Sequence, residues 1–185
     1  MATASEETVL VMDADAIRKA LQRVALEIVE ANPDPAGLVI AGIPTRGVEV
    51  ARRIAGHIHD IEGKRPELGV VDVSMHRDDL ATRGRLTAVE ATHLPVDLDG
   101  RPMVLVDDVL FTGRSCRAAL DAISSFGRPS RIQYAVLVDR GHRELPIAAD
   151  FVGRHLETTR DERIRVRFEN IDGQPDSVRI VRGTP

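Results

Sequence analysis

Two adjacent carboxylates, Asp107 and Asp108, close the apolar run Met103-Val104-Leu105-Val106, and Thr112-Gly113-Arg114-Ser115 follows shortly after. Such a run reads as a buried strand of a parallel sheet. The acids then fall at its carboxyl end, where open α/β sheets bind their ligands. The turn offers backbone N–H groups and two hydroxyls at the start of a helical pattern, which suits a phosphate. Acid beside a phosphate cradle is contradictory unless one ligand carries both a phosphate and a diol. Carboxylates can accept hydrogen bonds from two neighbouring sugar hydroxyls while the helix start holds the phosphate, and a ribose 5-phosphate has that pairing. A plain pair of Mg²⁺-binding carboxylates on another α/β fold does not require the Thr-Gly-Arg-Ser turn directly afterwards. A P-loop ATPase is excluded, because no glycine-rich loop ends in Gly-Lys-Ser or Gly-Lys-Thr, and the only lysines are Lys19 and Lys64.

A second corner has the same plan. Gly37 to Ile43 reads as another buried strand, Pro44-Thr45-Arg46-Gly47 as a turn, and Val48 to about Ile61 as a helix. Gly47 permits close backbone approach and Arg46 supplies a forked cation suited to phosphate oxygens. Alone, such a turn also serves merely to connect elements. A third charged corner, Asp139-Arg140-Gly141-His142-Arg143-Glu144, follows the apolar run Ile132 to Val138. It is either a salt-bridged turn or a place where Arg140, with the backbone of Val138 and Asp139, presents donors and acceptors to a planar base.

These corners need a scaffold. At 185 residues with 43% hydrophobic and 3% aromatic residues, the chain reads as one domain with an aliphatic core, as parallel-sheet proteins have. The single Cys116 rules out an internal disulfide framework and points to a reducing cytoplasm. Met1 to Val9 lacks the basic and apolar regions of a signal peptide, and no apolar run approaches membrane-spanning length. A net charge of −4 argues against a protein that coats nucleic acid non-specifically, although 25 Lys and Arg residues leave room for a local basic face.

In chain order, Asp13 caps a predicted helix from Ala14 to about Asn32, whose polar side carries Arg18, Lys19 and Arg23. Alone, these read as a solvated face. Leu68 to Met75 is a third strand, and the aperiodic stretch from Ala81 to His93, with Arg83 and Arg85, is either disordered or a functional lid. The central helix runs to about Phe126, and Gly127-Arg128-Pro129 turns the chain back. In the tail, Phe151 to Gly153, Ile164 to Glu169 and Ser177 to Val181 read as short antiparallel strands around an Asp172-Gly173 turn. The six histidines form no zinc pattern.

The stretch Val104 to Arg117 resembles the phosphoribosyl pyrophosphate (PRPP) signature of type I phosphoribosyltransferases. With Gly42 to Gly47, Arg77 to Leu80, Gly127 to Pro129 and above all Val138-Asp139-Arg140-Gly141-His142-Arg143-Glu144-Leu145-Pro146, nearly the whole chain resembles the family of pyr operon regulatory proteins with uracil phosphoribosyltransferase activity. The resemblance implies a central, mainly parallel sheet flanked by helices, with a small hood from about residue 150 to 185. It implies conversion of uracil and PRPP to UMP and pyrophosphate, with Mg²⁺ carried by PRPP rather than by a protein metal site. Asp107 and Asp108 then hold the ribose hydroxyls, Thr112-Gly113-Arg114-Ser115 hold the 5-phosphate, and Val109, Leu110 and Phe111 join them in the PRPP site. Thr45, Arg46 and Gly47 hold pyrophosphate, with Arg46 counted catalytic beside the two acids. The peptide before such an arginine is often cis in the family. Arg77 and Arg85 join the site from a closing loop, and Val138, Asp139 and Arg140 meet uracil or UMP. The family also implies a UMP-sensitive RNA face for pyrimidine mRNA leaders, made by Arg18, Arg23, His142 and Arg143 in a homodimer or higher oligomer. This chain departs from the family at Leu26 and Ala148, where relatives carry His and Arg, and at His76 in place of Tyr. A purine salvage enzyme without an RNA role, an RNA regulator that has lost turnover and an acidic-pair metal phosphatase stand as the alternatives.

Overall fold

The computed structural model describes residues 7–34, 37–73, 92–95 and 97–182. Arg77, Arg83, Arg85, His76 and residues 81–91 of the proposed lid lie outside the described residues, while His93 at its end bridges to Val70. The elements in order are β1 (Glu7–Met12), α1 (Ala14–Ala31), β2 (Val39–Gly42), α2 (Arg46–Glu62), β3 (Glu67–Val70), β4 (Pro102–Leu110), α3 (Arg114–Ser124), β5 (Arg131–Asp139), β6 (Phe151–His155), β7 (Arg163–Arg167), α4 (Glu169–Asp172) and β8 (Ser177–Arg182).

Five strands form a wholly parallel sheet in the order β3-β2-β4-β5-β6. Residues alternate between its faces. Val104 and Val106 join the core under α1 and α2, whereas Met103 and Leu105 pack under α3. Burial on both faces is why β4 and β5 read as continuous apolar runs rather than alternating ones. Helix α1 starts where Asp13 accepts a hydrogen bond from the Ala16 N–H (2.8 Å), and it buries Ile17, Leu21, Val24 and Ile28 completely. Each such side chain contributes roughly 1.5–3 kcal/mol of apolar burial. No helix among the described residues is long and apolar enough to cross a membrane.

The tail differs from the sequence expectation. Phe151–His155 does not join an antiparallel hood; it is the parallel edge strand of the main sheet beside β5. Gly153 lies so close to its neighbour that an added Cβ would sit 2.5 Å from the Leu137 carbonyl oxygen. A three-residue apolar alternation carries no information about which sheet receives it. The small sheet is instead β1-β8-β7, antiparallel throughout, so its first strand comes from the far end of the chain, with Glu7 opposite Arg182. The expected Asp172-Gly173 turn is the end of one-turn helix α4, where Gly173 adopts a left-handed φ of 64°. β3 covers only Glu67–Val70 of the longer predicted strand.

Close packing at Gly42 fixes the crossover from β2 to α2. A Cβ there would meet the Val48 Cα at 2.4 Å and the Gly47 carbonyl oxygen at 2.6 Å, both backbone atoms that cannot swing aside. Gly42→Ala is therefore expected to destabilise the fold by about 1–3 kcal/mol or more. A lowered urea midpoint at unchanged denaturant slope checks it.

Candidate active site

β4 does not end at the acids. It continues to Leu110, pairing Val109 with Val138 and Leu110 with Asp139, so Asp107 and Asp108 lie in its second half rather than at its tip. Alternation sends Asp107 to the α3 face, where it is 6% exposed, while Asp108 is half-buried on the other face. Asp107 Oδ1 accepts the Asp108 N–H (2.9 Å), its Oδ2 accepts the Tyr134 hydroxyl (3.4 Å), and Asp108 Oδ1 accepts the Val109 N–H (3.0 Å). Burial pushes both carboxyls above the ordinary range; the neighbouring Asp108 raises Asp107 further, while the Arg46 charge draws Asp108 partly back. Two acids this close share their titration as a pair.

The phosphate-type corner lies just beyond β4. Gly113 caps α3 with φ 91°, a left-handed conformation that turns the chain at the helix start, and the Arg114 N–H approaches Thr112 Oγ1 (3.3 Å). The N–H groups of α3's first turn point outward from an eleven-residue helix, whose dipole favours an anion there. This turn is bonded to the third corner. The Thr112 carbonyl accepts the N–H groups of Glu144 (3.0 Å) and Leu145 (3.2 Å), and Arg114 Nε donates to Glu144 Oε2 (2.9 Å).

At the second corner the peptide between Pro44 and Thr45 is cis, one bond earlier than the bond before Arg46. Helix α2 begins at Arg46, two residues before its predicted start, which puts Arg46 and Gly47 in its first turn. A Cβ on Gly47 would lie 2.7 Å from the Val106 oxygen and 3.0 Å from the Asp107 Cα, so only glycine lets this turn rest against the acids. Arg46 Nη2 donates to Asp172 Oδ1 (2.5 Å) on α4, while its buried Nε has no hydrogen-bond partner among the described residues. Arg46 thus stands between the acid pair and the small sheet. Asp172 was not expected at the site, and a contact spanning 126 positions leaves no local signal.

The third corner is more self-contained than expected. Arg140 is 6% exposed; its guanidinium lies 4.2 Å from the Phe111 ring centre and donates to Thr158 Oγ1 (3.2 Å) and the Thr159 carbonyl (2.8 Å). The side chain therefore holds two loops together. Val138 and Leu110 have core side chains, and Asp139 accepts from the Gly141 N–H and from Arg143. Arg143 also donates to the carbonyls of Phe111, Gly141 and Ile147, and His142, at φ 61°, places Nε2 2.6 Å from the Thr158 oxygen. On α1, Arg23 pairs with Glu27 and reaches the Val152 and Gly153 carbonyls of β6, whereas Arg18 is exposed beside Asp15. The four residues expected on an RNA face thus have separate supports, and Arg18 is the most open to a partner.

A separate cavity of about 400 Å³ is lined by Glu49, Arg52, Arg53, Glu169, Asn170 and Asp176. Its charges are mutually satisfied: Glu49 accepts from Arg52, Arg53 and Asn170, and Arg53 pairs with Asp176. It holds α2 to the small sheet and contains neither acid of the pair.

A phosphoribosyl transferase domain model matches residues 11–166. A protein named bifunctional protein PyrR from Roseiflexus sp. is 54% identical over 174 residues, covering 94% of this chain and 95% of that protein. One of the same name from Thermus aquaticus is 54% identical over 163 residues, covering 88% and 90%. Among solved structures, a ternary substrates complex of a hypoxanthine phosphoribosyltransferase from Trypanosoma cruzi superposes with TM-score 0.74 at 16% identity, covering 96% of each chain. A hypoxanthine-guanine phosphoribosyltransferase from Bacillus anthracis gives 0.66 at 15% identity, covering 83% and 86%. At such identities the structures speak for the fold alone.

The raised acid pair sets a pH dependence. Above the ordinary carboxyl value of 3.8, the folded chain keeps protons that the unfolded chain has released, so this pair's contribution to stability falls as pH rises toward its folded titration range. Asp107→Asn removes the buried charge. It is expected to raise the thermal midpoint at pH 8, by about 2–4 °C for each kcal/mol relieved, with the gain shrinking as pH falls toward 3.8; parallel melts at several pH values test this.

Proposed function

This chain belongs to the phosphoribosyl transferase family, in the branch of the bifunctional PyrR proteins, and from that premise we propose that it converts uracil and PRPP to UMP and pyrophosphate and binds pyrimidine mRNA leaders under the control of UMP. The observation that carries the catalytic half is the acid pair lying between two cationic or N–H-rich corners, Arg46 on one side and the start of α3 on the other.

The chemistry follows from that arrangement. Asp107 and Asp108 accept the two ribose hydroxyls, and the N–H groups after Thr112, with the Thr112 and Ser115 hydroxyls, take the 5-phosphate. Holding the sugar at both ends fixes the anomeric carbon between base and leaving group, so catalysis rests mainly on positioning and charge stabilisation. Arg46 turns from Asp172 to the pyrophosphate, its buried Nε being a donor without an acceptor among the described residues. Uracil nitrogen forms the new C–N bond as the C–O bond to pyrophosphate breaks and the nitrogen loses its proton. The backbone at Asp139 and Gly141, steadied by Arg140, faces the base.

Mg²⁺ fits this site by way of the donor. Among the described residues no three His, Cys, Asp or Glu side chains are grouped to hold an ion, whereas the pyrophosphate and ribose oxygens of PRPP itself provide the hard oxygen ligands Mg²⁺ prefers. When bound, the ion neutralises charge on the leaving pyrophosphate. Arg77 and Arg85 are assigned to the PRPP site with Arg46 and the acid pair.

The regulatory half uses Arg18, Arg23, His142 and Arg143, repeated across a cytoplasmic homodimer or higher oligomer. The third corner suits a sensor, because His142 and Arg143 adjoin Glu144, which is bonded to the phosphate turn.

The test is direct: labelled uracil and PRPP with the purified chain, followed by leader-RNA retention with and without UMP. The double variant Asp107→Asn/Asp108→Asn is expected to lose at least about 10²-fold in kcat/KM while free-protein RNA binding largely survives. Equal loss of both in a folded variant counts against separate sites, and turnover of hypoxanthine instead of uracil moves the substrate assignment to purines. Arg18→Ala is expected to weaken RNA binding modestly and lower the salt slope by about 1, read from binding isotherms at several salt concentrations.

A further inference from the structure

The hydroxyl of Tyr134 is a polar group in an otherwise apolar layer. Tyr134 is the chain's only tyrosine, 5% exposed at mid-strand in β5, within the core layer formed by Leu105, Met103 and Val136 under α3. A phenol buried there costs stability unless its O–H finds an acceptor, and an aliphatic side chain would fill the space without that demand. The acceptor is Asp107 Oδ2, at 3.4 Å.

The sheet register produces this contact. Leu105 lies opposite Tyr134, and Asp107 comes two residues later on the same face, about 7 Å further along the strand. That is the reach of a tyrosine side chain laid along the strand direction. The backbone of Tyr134 is held in turn, its N–H donating to Asp150 Oδ2 (2.7 Å) and its carbonyl accepting the Asp150 N–H (2.8 Å). The donor is therefore fixed at its base, and its target, on the neighbouring strand, is fixed through Asp107 Oδ1 by the Asp108 N–H.

We propose that Tyr134 is a positioning residue, which holds Asp107 Oδ2 from behind so that the carboxylate keeps the orientation needed to accept a ribose hydroxyl. This rests on the phosphoribosyl-transfer reading of the site. Each Asp107 oxygen has one protein donor and retains a lone pair for the sugar. The groups facing Asp107 are Asp108 on its own strand, Cys116 from α3, Tyr134 from β5 and, around Cys116, Asp150, while the Arg46 charge from α2 acts on Asp108. Burial, ahead of the nearby carboxylates, pushes the Cys116 thiol up to about 12, and burial with Asp107 pushes the Tyr134 hydroxyl up as well, so both stay protonated. Tyr134 is thus a donor throughout the working pH range, and its hydrogen bond favours the ionised form of Asp107 against burial and the Asp108 charge.

Tyr134→Phe keeps the ring and removes only that donor. The acid pair then ionises less readily, and the acidic limb of kcat/KM for PRPP moves to higher pH by about one unit, a roughly tenfold loss on that limb. A core-packing role would leave the two profiles superposable, and superposable profiles overturn the proposal. Carboxyl ¹³C NMR titration of the ligand-free protein supplies a readout independent of turnover: the Asp107–Asp108 midpoint is expected to rise in Tyr134→Phe and again in Tyr134→Leu. An unmoved midpoint overturns the proposal. A parent protein that releases no pyrophosphate from PRPP, while the midpoint moves, upholds the Tyr134–Asp107 contact and removes the enzymatic reading instead.

Discussion

Two negative charges placed side by side inside a parallel sheet are the constraint from which the rest of the site follows. Burial opposes the ionisation of both and the Asp108 charge further opposes that of Asp107, so the fold surrounds them with compensation. Asp107 takes a backbone N–H and a phenol, Asp108 takes a backbone N–H and the field of Arg46. None of these neutralises the pair outright. A ligand arriving with two O–H donors would supply what the protein withholds.

The scaffold brings this about with small residues where backbones must approach. Gly47 lets the first turn of α2 touch the strand that carries the acids, and Gly113 turns the chain into α3. The strands meanwhile carry the large aliphatic side chains that hold both helical layers in register. Arg46 then links the main sheet to the small one through Asp172, and Arg53 and Glu49, further along the same helix, repeat the link through Asp176 and Asn170. One helix therefore both carries Arg46 beside the acid pair and fastens the segment around the small sheet.

How much of this was legible in the sequence depended on distance along the chain. The strand, acid pair, turn and helix between Met103 and Ser124 are contiguous, so composition and periodicity were enough to place them, although the strand ran past the acids to Leu110 because its backbone ladder with β5 persists there. The boundaries of α1 were equally local, set by Asp13 at one end and by Pro33 just beyond the other. What was not legible is what pairs across the chain: β6 with β5 in place of a hood, β1 with β8, Asp172 with Arg46, and Tyr134 with Asp107. Arg140 shows the same limit in one side chain. Its charge suggested a ligand contact, but the loop of Thr158 and Thr159 that engages it arrives some twenty residues later.

The pairing of β1 with β8 carries a consequence for how the molecule comes into being. Residue 7 meets residue 182, so during synthesis the first strand waits, without its hydrogen-bonding neighbour, until the last strand has left the ribosome. The layer containing the acids and the turn into α3 can assemble earlier, from strands made before that last one. The counter-anion for Arg46 is delivered only with the closing segment. A chain interrupted late in translation would thus present its anion-seeking arginine unopposed, and long-range closure of this kind is the slow step that topology imposes on folding.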